Sequence, residues 1–162
     1  MRVASDARTH HRTPSRVGRS RPPAVGEIYG HGTHPAHPQG LISSPAFSHV
    51  AIVPPGATTI YVGGQNAVDV DGSLVGEGDV AVQSARALEN ARTALAAAGA
   101  TLGDVVHWTV LFVDGVDLAA GYGAIASELA SDEPALVTGA RVAGLGVPGA
   151  LVEISAVAAV LR

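Results

Sequence analysis

Residues 104–113 read DVVHWTVLFV, and no other stretch limits the fold so tightly. After the aspartate, valine, leucine and aromatic residues follow one another with only His107 and Thr109 between them. The run is short for a buried helix and rich in β-branched and aromatic side chains, so it reads as a strand. A strand with so little polar alternation is expected to be covered on both faces. The rest of the chain must therefore supply a sheet and something to pack against it.

The neighbouring segments supply both. SHVAIV (48–53) and TTIYVGGQ (58–65) have strand character and are separated by the turn residues Pro54, Pro55 and Gly56. VDVDGSLVG (68–76) carries Asp71-Gly72, a hairpin signal between short extended pieces. The spacing of Ala81, Ala85, Leu88, Ala91, Leu95 and Ala98 predicts a helix over about 79–98, with Asp79 as N-cap and Gly99 as the left-handed stop. A second helix is expected over 117–130, with Leu118, Tyr122, Ile125 and Leu129 on one face and Gly121 and Gly123 weakening it. ALVTGARVAG and ALVEISAVAAVL close the chain as two strands, joined through Gly144, Gly146, Pro148 and Gly149. The order predicts a single α+β domain, a mixed sheet of about six strands with two helices packed on one face.

That domain is expected to span 41–162. Residues 1–40 show neither helical nor strand periodicity, are rich in Arg, His, Pro and Gly, and read as a disordered or mis-started basic tail. His31, His34 and His37 lie in this tail at even spacing, but no regular element gathers them, so no metal site is expected. The chain has a net charge of −4 and no lysine, with six of its ten arginines in the first 21 residues. From Leu41 onward four arginines face twelve Asp and Glu, a net of −8. So acidic a body is a poor partner for nucleic acid, where clustered cations supply the affinity. There is no cysteine, which excludes disulfides, a thiol nucleophile and any Cys-ligated metal or cluster. No apolar run is long enough to cross a membrane. A cytoplasmic protein without membrane contact is the expectation.

Three polar features interrupt apolar strands. In YVGGQN (61–66), Gly63 and Gly64 either form a bulge in a twisted sheet or open the backbone to a ligand oxygen. Glu153, within ALVEISAVAAV, either points to solvent or sits hydrogen-bonded in a site, where it can hold a water. Alternation puts it on one face with Leu151, Ser155 and Val157, opposite Val152, Ile154 and Ala156. Arg141, in PALVTGARVAGL, is either an anion hook or a solvated charge at a strand edge.

From about Ser43 to Val160 the chain resembles the RidA (YjgF) family of small imine and enamine deaminases. The matching pieces are SPAFSHV, YVGGQNAVDVDGSLVG, the central block QSARALENARTALAAAGATLGDVVHWTVLFVDGVDLAAGYGAIASEL, and the closing EPALVTGARVAGLGVPGALVEISAVA, in the family's order. The resemblance implies a chorismate-mutase-like fold, a homotrimer with small-molecule ligands in clefts between subunits, no cofactor, and hydrolysis of reactive imines to ammonia and a carbonyl compound. It also implies that Glu153 helps position the attacking water and that Gly63, Gly64, Phe47, Tyr122, Leu136 and Thr138 line the ligand.

Three positions depart from the family's pattern. Gly63 stands where the family has serine, and Phe47 lacks the tyrosine hydroxyl common there. The arginine that holds a substrate carboxylate in the family falls on Leu136. Losing such a pair costs about 2–5 kcal/mol, so a 2-imino acid is not the expected substrate and a neutral or more apolar ligand is. Arg141 lies five residues beyond Leu136, an odd offset that turns a strand residue to the opposite face, so edge solvation is its expected role. The alternative to an enzyme is a non-catalytic trimer that binds a neutral metabolite or a partner protein.

Overall fold

A computed structural model describes residues 34–36 and 38–161. Two short strands, β1 (His34–Ala36) and β2 (Val50–Ile52), pair antiparallel with each other. The main sheet contains β3 (Thr58–Gln65), β4 (Val105–Val113), β5 (Leu136–Val142) and β6 (Val152–Val160), in the spatial order β3-β6-β4-β5. β6 runs antiparallel to both β3 and β4, whereas β4 and β5 are parallel. A parallel pair needs a crossover, and the helix α2 (Leu118–Leu129) provides it. The other helix, α1 (Val80–Ala97), packs on β3 and β6 and against α2. The apolar core lies between helices and sheet, built from Leu88, Ala91 and Leu95 of α1, Ile125 of α2, and Trp108, Val110, Phe112, Val152 and Ile154 of the sheet.

Both helices begin where the sequence says they should. The Asp79 carboxylate accepts from the backbone N–H of Ala81 and Val82, and Asp117 does the same for Ala119 and Ala120. Gly99 ends α1 with φ +75°, a conformation that favours glycine. The buried stripe of α1 differs from the expected one: Ala85 is exposed, while Gln83, Ser84 and Ala87 are buried beside Leu88, Ala91 and Leu95. Gln83 is tolerated there because its amide is fully engaged. Nε2 donates to the carbonyls of Gly76 and Gly149, and Oε1 accepts from the Leu151 N–H at 2.8 Å. Gly121 has a packing role. A Cβ there would lie 2.6 Å from the Phe112 ring, so the missing side chain lets α2 sit close on the sheet.

Four expectations need correction. The main sheet has four strands rather than about six, since β1 and β2 form a separate pair. The stretch 68–76 makes a turn with one isolated bridge, Val68 to Leu74, because the Asp69 carboxylate and backbone carbonyl take the N–H groups of Asp71, Gly72 and Ser73. β4 is buried on one face only in the single chain. Trp108, Val110 and Phe112 face the helices, and His107, Thr109, Leu111 and Val113 lie half-exposed on a face that no described element covers. Finally, His34–Ala36 is strand, in a stretch read as having no regular structure; its partner across the ladder, not its own periodicity, supplies the hydrogen bonds. His31 and His37 lie outside the described residues.

Replacing Gln83 with alanine leaves the Leu151 N–H and two carbonyls without their partner. At about 1–3 kcal/mol for each buried unsatisfied group, Gln83→Ala is expected to lower the unfolding free energy by about 3 kcal/mol, measured by urea denaturation.

Candidate functional site

β6 carries Glu153 on the uncovered face of the sheet. Val152, Ile154, Ala156 and Ala158 are buried towards the helices, and Glu153, Ser155 and Val157 are half-exposed on the other side. On the neighbouring strand, the β3–β6 ladder runs regularly from Thr58–Val160 to Val62–Ala156 and then slips, with Gln65 next opposite Ile154. The slip is a bulge at Gly63-Gly64. It brings the backbone of Gly64 under the glutamate. A Cβ on Gly64 would stand 2.4 Å from the Glu153 carboxyl carbon and Oε1, whereas one on Gly63 would meet nothing within 4 Å. The bulge makes room for the carboxylate over the Gly64 backbone. No described side chain or backbone group donates to Glu153, so its oxygens are available to a water or ligand.

Buried amides hold this corner. The Asn66 side chain donates to the Val152 carbonyl at 2.9 Å, tying the end of β3 to the residue before Glu153. Asn90 donates to the carbonyls of Asn66 and Val68, and Gln83 fixes Leu151 on the same strand approach. The sequence does not mark Asn66 and Asn90 as supports of this corner. A polar residue just past a strand end and one on a helix carry no local signal that they meet.

A second group gathers at the far end of the same face. The β4–β5 register aligns His107 with Leu136 and Thr109 with Thr138, so these four residues share the uncovered face. His107 Nε2 and Thr138 Oγ1 are 2.8 Å apart in a hydrogen bond. Phe47 is half-buried, its ring edge-on to His49 with centroids 5.4 Å apart, and the intervening Ser48 N–H donates to the Ala135 carbonyl at the head of β5. Phe47, Leu136 and Thr138 therefore belong to one neighbourhood, with His107 as a member not foreseen. His107 is half-buried among valines in sequence, and only the cross-strand register reveals its place.

These two groups do not converge within one chain. Glu153 pairs with Leu111, four residues along β4 from the His107–Leu136 rung, and β5 lies two strands from β6. At strand dimensions that is about 13 Å along the sheet and about 10 Å across it. Tyr122 belongs to neither group. It lies on the helix side of β5, in a cleft with Phe112, Leu118, Gly139, Ala140 and Arg141. Arg141 pairs in register with Phe112, whose side chain faces the helices, so the arginine points away from Leu136, Thr138 and Glu153. Within one chain it lies on the face of β5 opposite Leu136.

The chemistry open to Glu153 is that of a carboxylate held over a glycine backbone on an exposed sheet, able to orient a water and to take a proton from it. In Gly64→Ala the new methyl collides with the flexible end of Glu153, so the chain is expected to fold while the carboxylate turns to another rotamer, at a cost of about 1 kcal/mol. Gly63→Ala is expected to leave the side chain in place. Crystal structures of the two variants make the comparison.

The family model described as Endoribonuclease L-PSP matches residues 41–160. Among solved structures, YyfB of the Rid protein family from Yersinia pestis, a protein of unknown function, superposes with a TM-score of 0.69 at 28% identity, covering 80% of this chain and 99% of that one. Rv2704 from Mycobacterium tuberculosis, of the YjgF/YER057c/UK114 family, gives 0.54 at 31% identity over 63% of this chain and 79% of its own. RidA from the Antarctic bacterium Psychrobacter gives 0.57 at 25% identity over 74% of this chain and 98% of its own. With the family match running from Leu41 to Val160 and the same sheet-and-helix arrangement shared with these proteins, the chain belongs to the RidA (YjgF) family.

Proposed function

We propose that this protein hydrolyses reactive imines, enamines or a related small C–N substrate, releasing ammonia and a carbonyl compound. The observation that carries the reading is the Glu153 carboxylate lying over Gly64 with no internal partner among the described residues. In the reaction, a water held by Glu153 adds to the imine carbon. The new C–O bond forms as a proton passes by way of the carboxylate to the nitrogen. The hydroxyl proton of the carbinolamine then passes by way of the carboxylate to the nitrogen, the C–N bond breaks as the carbonyl forms, and ammonia leaves. The backbone N–H groups at Gly63-Gly64 meet the charge that develops on the substrate.

The separation of the two residue groups favours an assembly that joins them. A homotrimer that covers the exposed sheet face, on which Tyr61 is 79% exposed, brings Glu153 of one subunit towards another subunit's Leu136 and Thr138 group, and the ligand occupies the cleft between them. Leu136 leaves that cleft without a guanidinium for a carboxylate, which favours neutral substrates over 2-imino acids. An RNA substrate, which the family description suggests, fits poorly with a folded part carrying twelve acids and four arginines. A cytoplasmic setting without membrane contact suits the reading, and no helix among the described residues is long and apolar enough to cross a membrane. No cofactor is required by the chemistry.

Leu136 also favours a second reading, a non-catalytic trimer that binds a neutral metabolite or a partner protein in the same clefts.

One assay separates these readings. Imines generated by an amino-acid oxidase, together with neutral imines, are trapped with semicarbazide in the presence of wild type, Glu153→Gln or Leu136→Arg, and light scattering gives the mass. Wild type is expected to speed loss of neutral imines, Glu153→Gln to lose at least 90% of that rate, and Leu136→Arg to gain activity on 2-imino acids. A wild type inert on every imine, yet stabilised by neutral ligands, supports the binding reading.

A further inference from the structure

On the opposite side of the sheet, between the start of α2 and the edge strand β5, lies a cleft of about 380 Å³ lined by Phe112, Leu118, Tyr122, Gly139, Ala140 and Arg141. Its volume is within the usual ligand range of about 300–1,000 Å³. The walls are apolar except at the rim, where Arg141 and Tyr122 supply the polar groups. Gly139 makes the space. It lies on the helix side of β5 between Val137 and Arg141, and a Cβ added there would meet no atom within 4 Å. A strand residue of ordinary size would fill the void.

Arg141 differs from the other described arginines of the domain. Arg86 donates to the Val68 carbonyl, and Arg92 bonds both Glu89 and Glu128. Arg141 makes no hydrogen bond or ion pair among the described residues, although Asp114 donates its backbone N–H to the carbonyl of the adjacent Val142. The Asp117 carboxylate is occupied with the N–H groups of Ala119 and Ala120. In an acid-rich domain, an exposed guanidinium without a carboxylate is open to one from outside. Its planar fork suits a carboxylate bidentately. A single cation above apolar walls suits a monoanion with an apolar body better than a phosphate, which would call for more donors.

We propose that this cleft is a second binding site, for small monocarboxylates with a flat apolar body such as arylacetates, with Arg141 holding the carboxylate and Phe112, Leu118 and Tyr122 enclosing the ring. The site is independent of the Glu153 chemistry and stands whether or not the protein is a hydrolase.

Calorimetric titration of the full chain with phenylacetate and with its neutral isostere phenylacetamide tests it. Phenylacetate is expected to bind wild type at least tenfold more tightly than the amide. Arg141→Gln should abolish that preference. Gly139→Val, which suits a strand and meets no neighbour at Cβ, should remove binding of both ligands while the melting temperature stays within about 2 °C. Glu153→Gln should bind phenylacetate as wild type does. Loss of binding in Glu153→Gln, or unchanged binding in Gly139→Val or Arg141→Gln, overturns the proposal. So does a wild type that binds neither ligand up to 10 mM on the order of the weakest specific affinities, whether or not Gly139→Val alters the oligomeric mass by displacing a second copy from the cleft.

Discussion

The buried amide of Gln83 is the interaction on which this architecture leans most. One side chain satisfies three backbone groups, at Gly76, Gly149 and Leu151, that come from two different connections. Asn66 and Asn90 extend the same arrangement to Val152, Asn66 and Val68. The loop after β3 and the loop before β6 are thereby fastened to one helix. Without that fastening, the bulge at Gly63-Gly64 and the carboxylate of Glu153 would have no fixed relation, because each lies at the end of a strand beside an irregular segment. Apolar packing makes the core stable, and amide hydrogen bonds give the site its geometry.

The elements that a periodic pattern can announce were legible in the sequence. TTIYVGGQ is β3 to the residue, the Asp79 cap holds its helix, and the alternation around Glu153 places it on the side opposite Val152 and Ile154. The odd offset between Leu136 and Arg141 also turns out as strand geometry requires, on opposite faces of β5. What stayed hidden depends on residues far apart in the chain. Gln83 looks like a surface residue until three backbone partners explain its burial. His107 gains its meaning only from the hydrogen bond to Thr138 across a parallel ladder. The apolar run of β4 implied two covered faces, yet one chain covers only one.

Glycines do different work in the two sites. Gly64 allows a close approach, since a functional side chain occupies the place its own would take. Gly139 allows a void, since nothing occupies that place. Gly121 is a third case, a contact between helix and sheet that no larger residue permits without moving the Phe112 ring. A helix-propensity scale penalises Gly121 by about 1 kcal/mol against alanine, but the ring contact reverses the preference.

The position of β6 has a further consequence for how the chain comes to be folded. The strand in the middle of the main sheet is the last of its four in the sequence, so β3 and β4 have no common partner until residues 152–160 have been made. During synthesis both strands present unpaired backbone edges, and the helices that follow them have only part of a surface to dock on. The sheet is therefore completed by insertion of β6 between β3 and β4, not by growth from its first strand. Such long-range pairing folds slowly and leaves apolar edges open to other chains in the meantime.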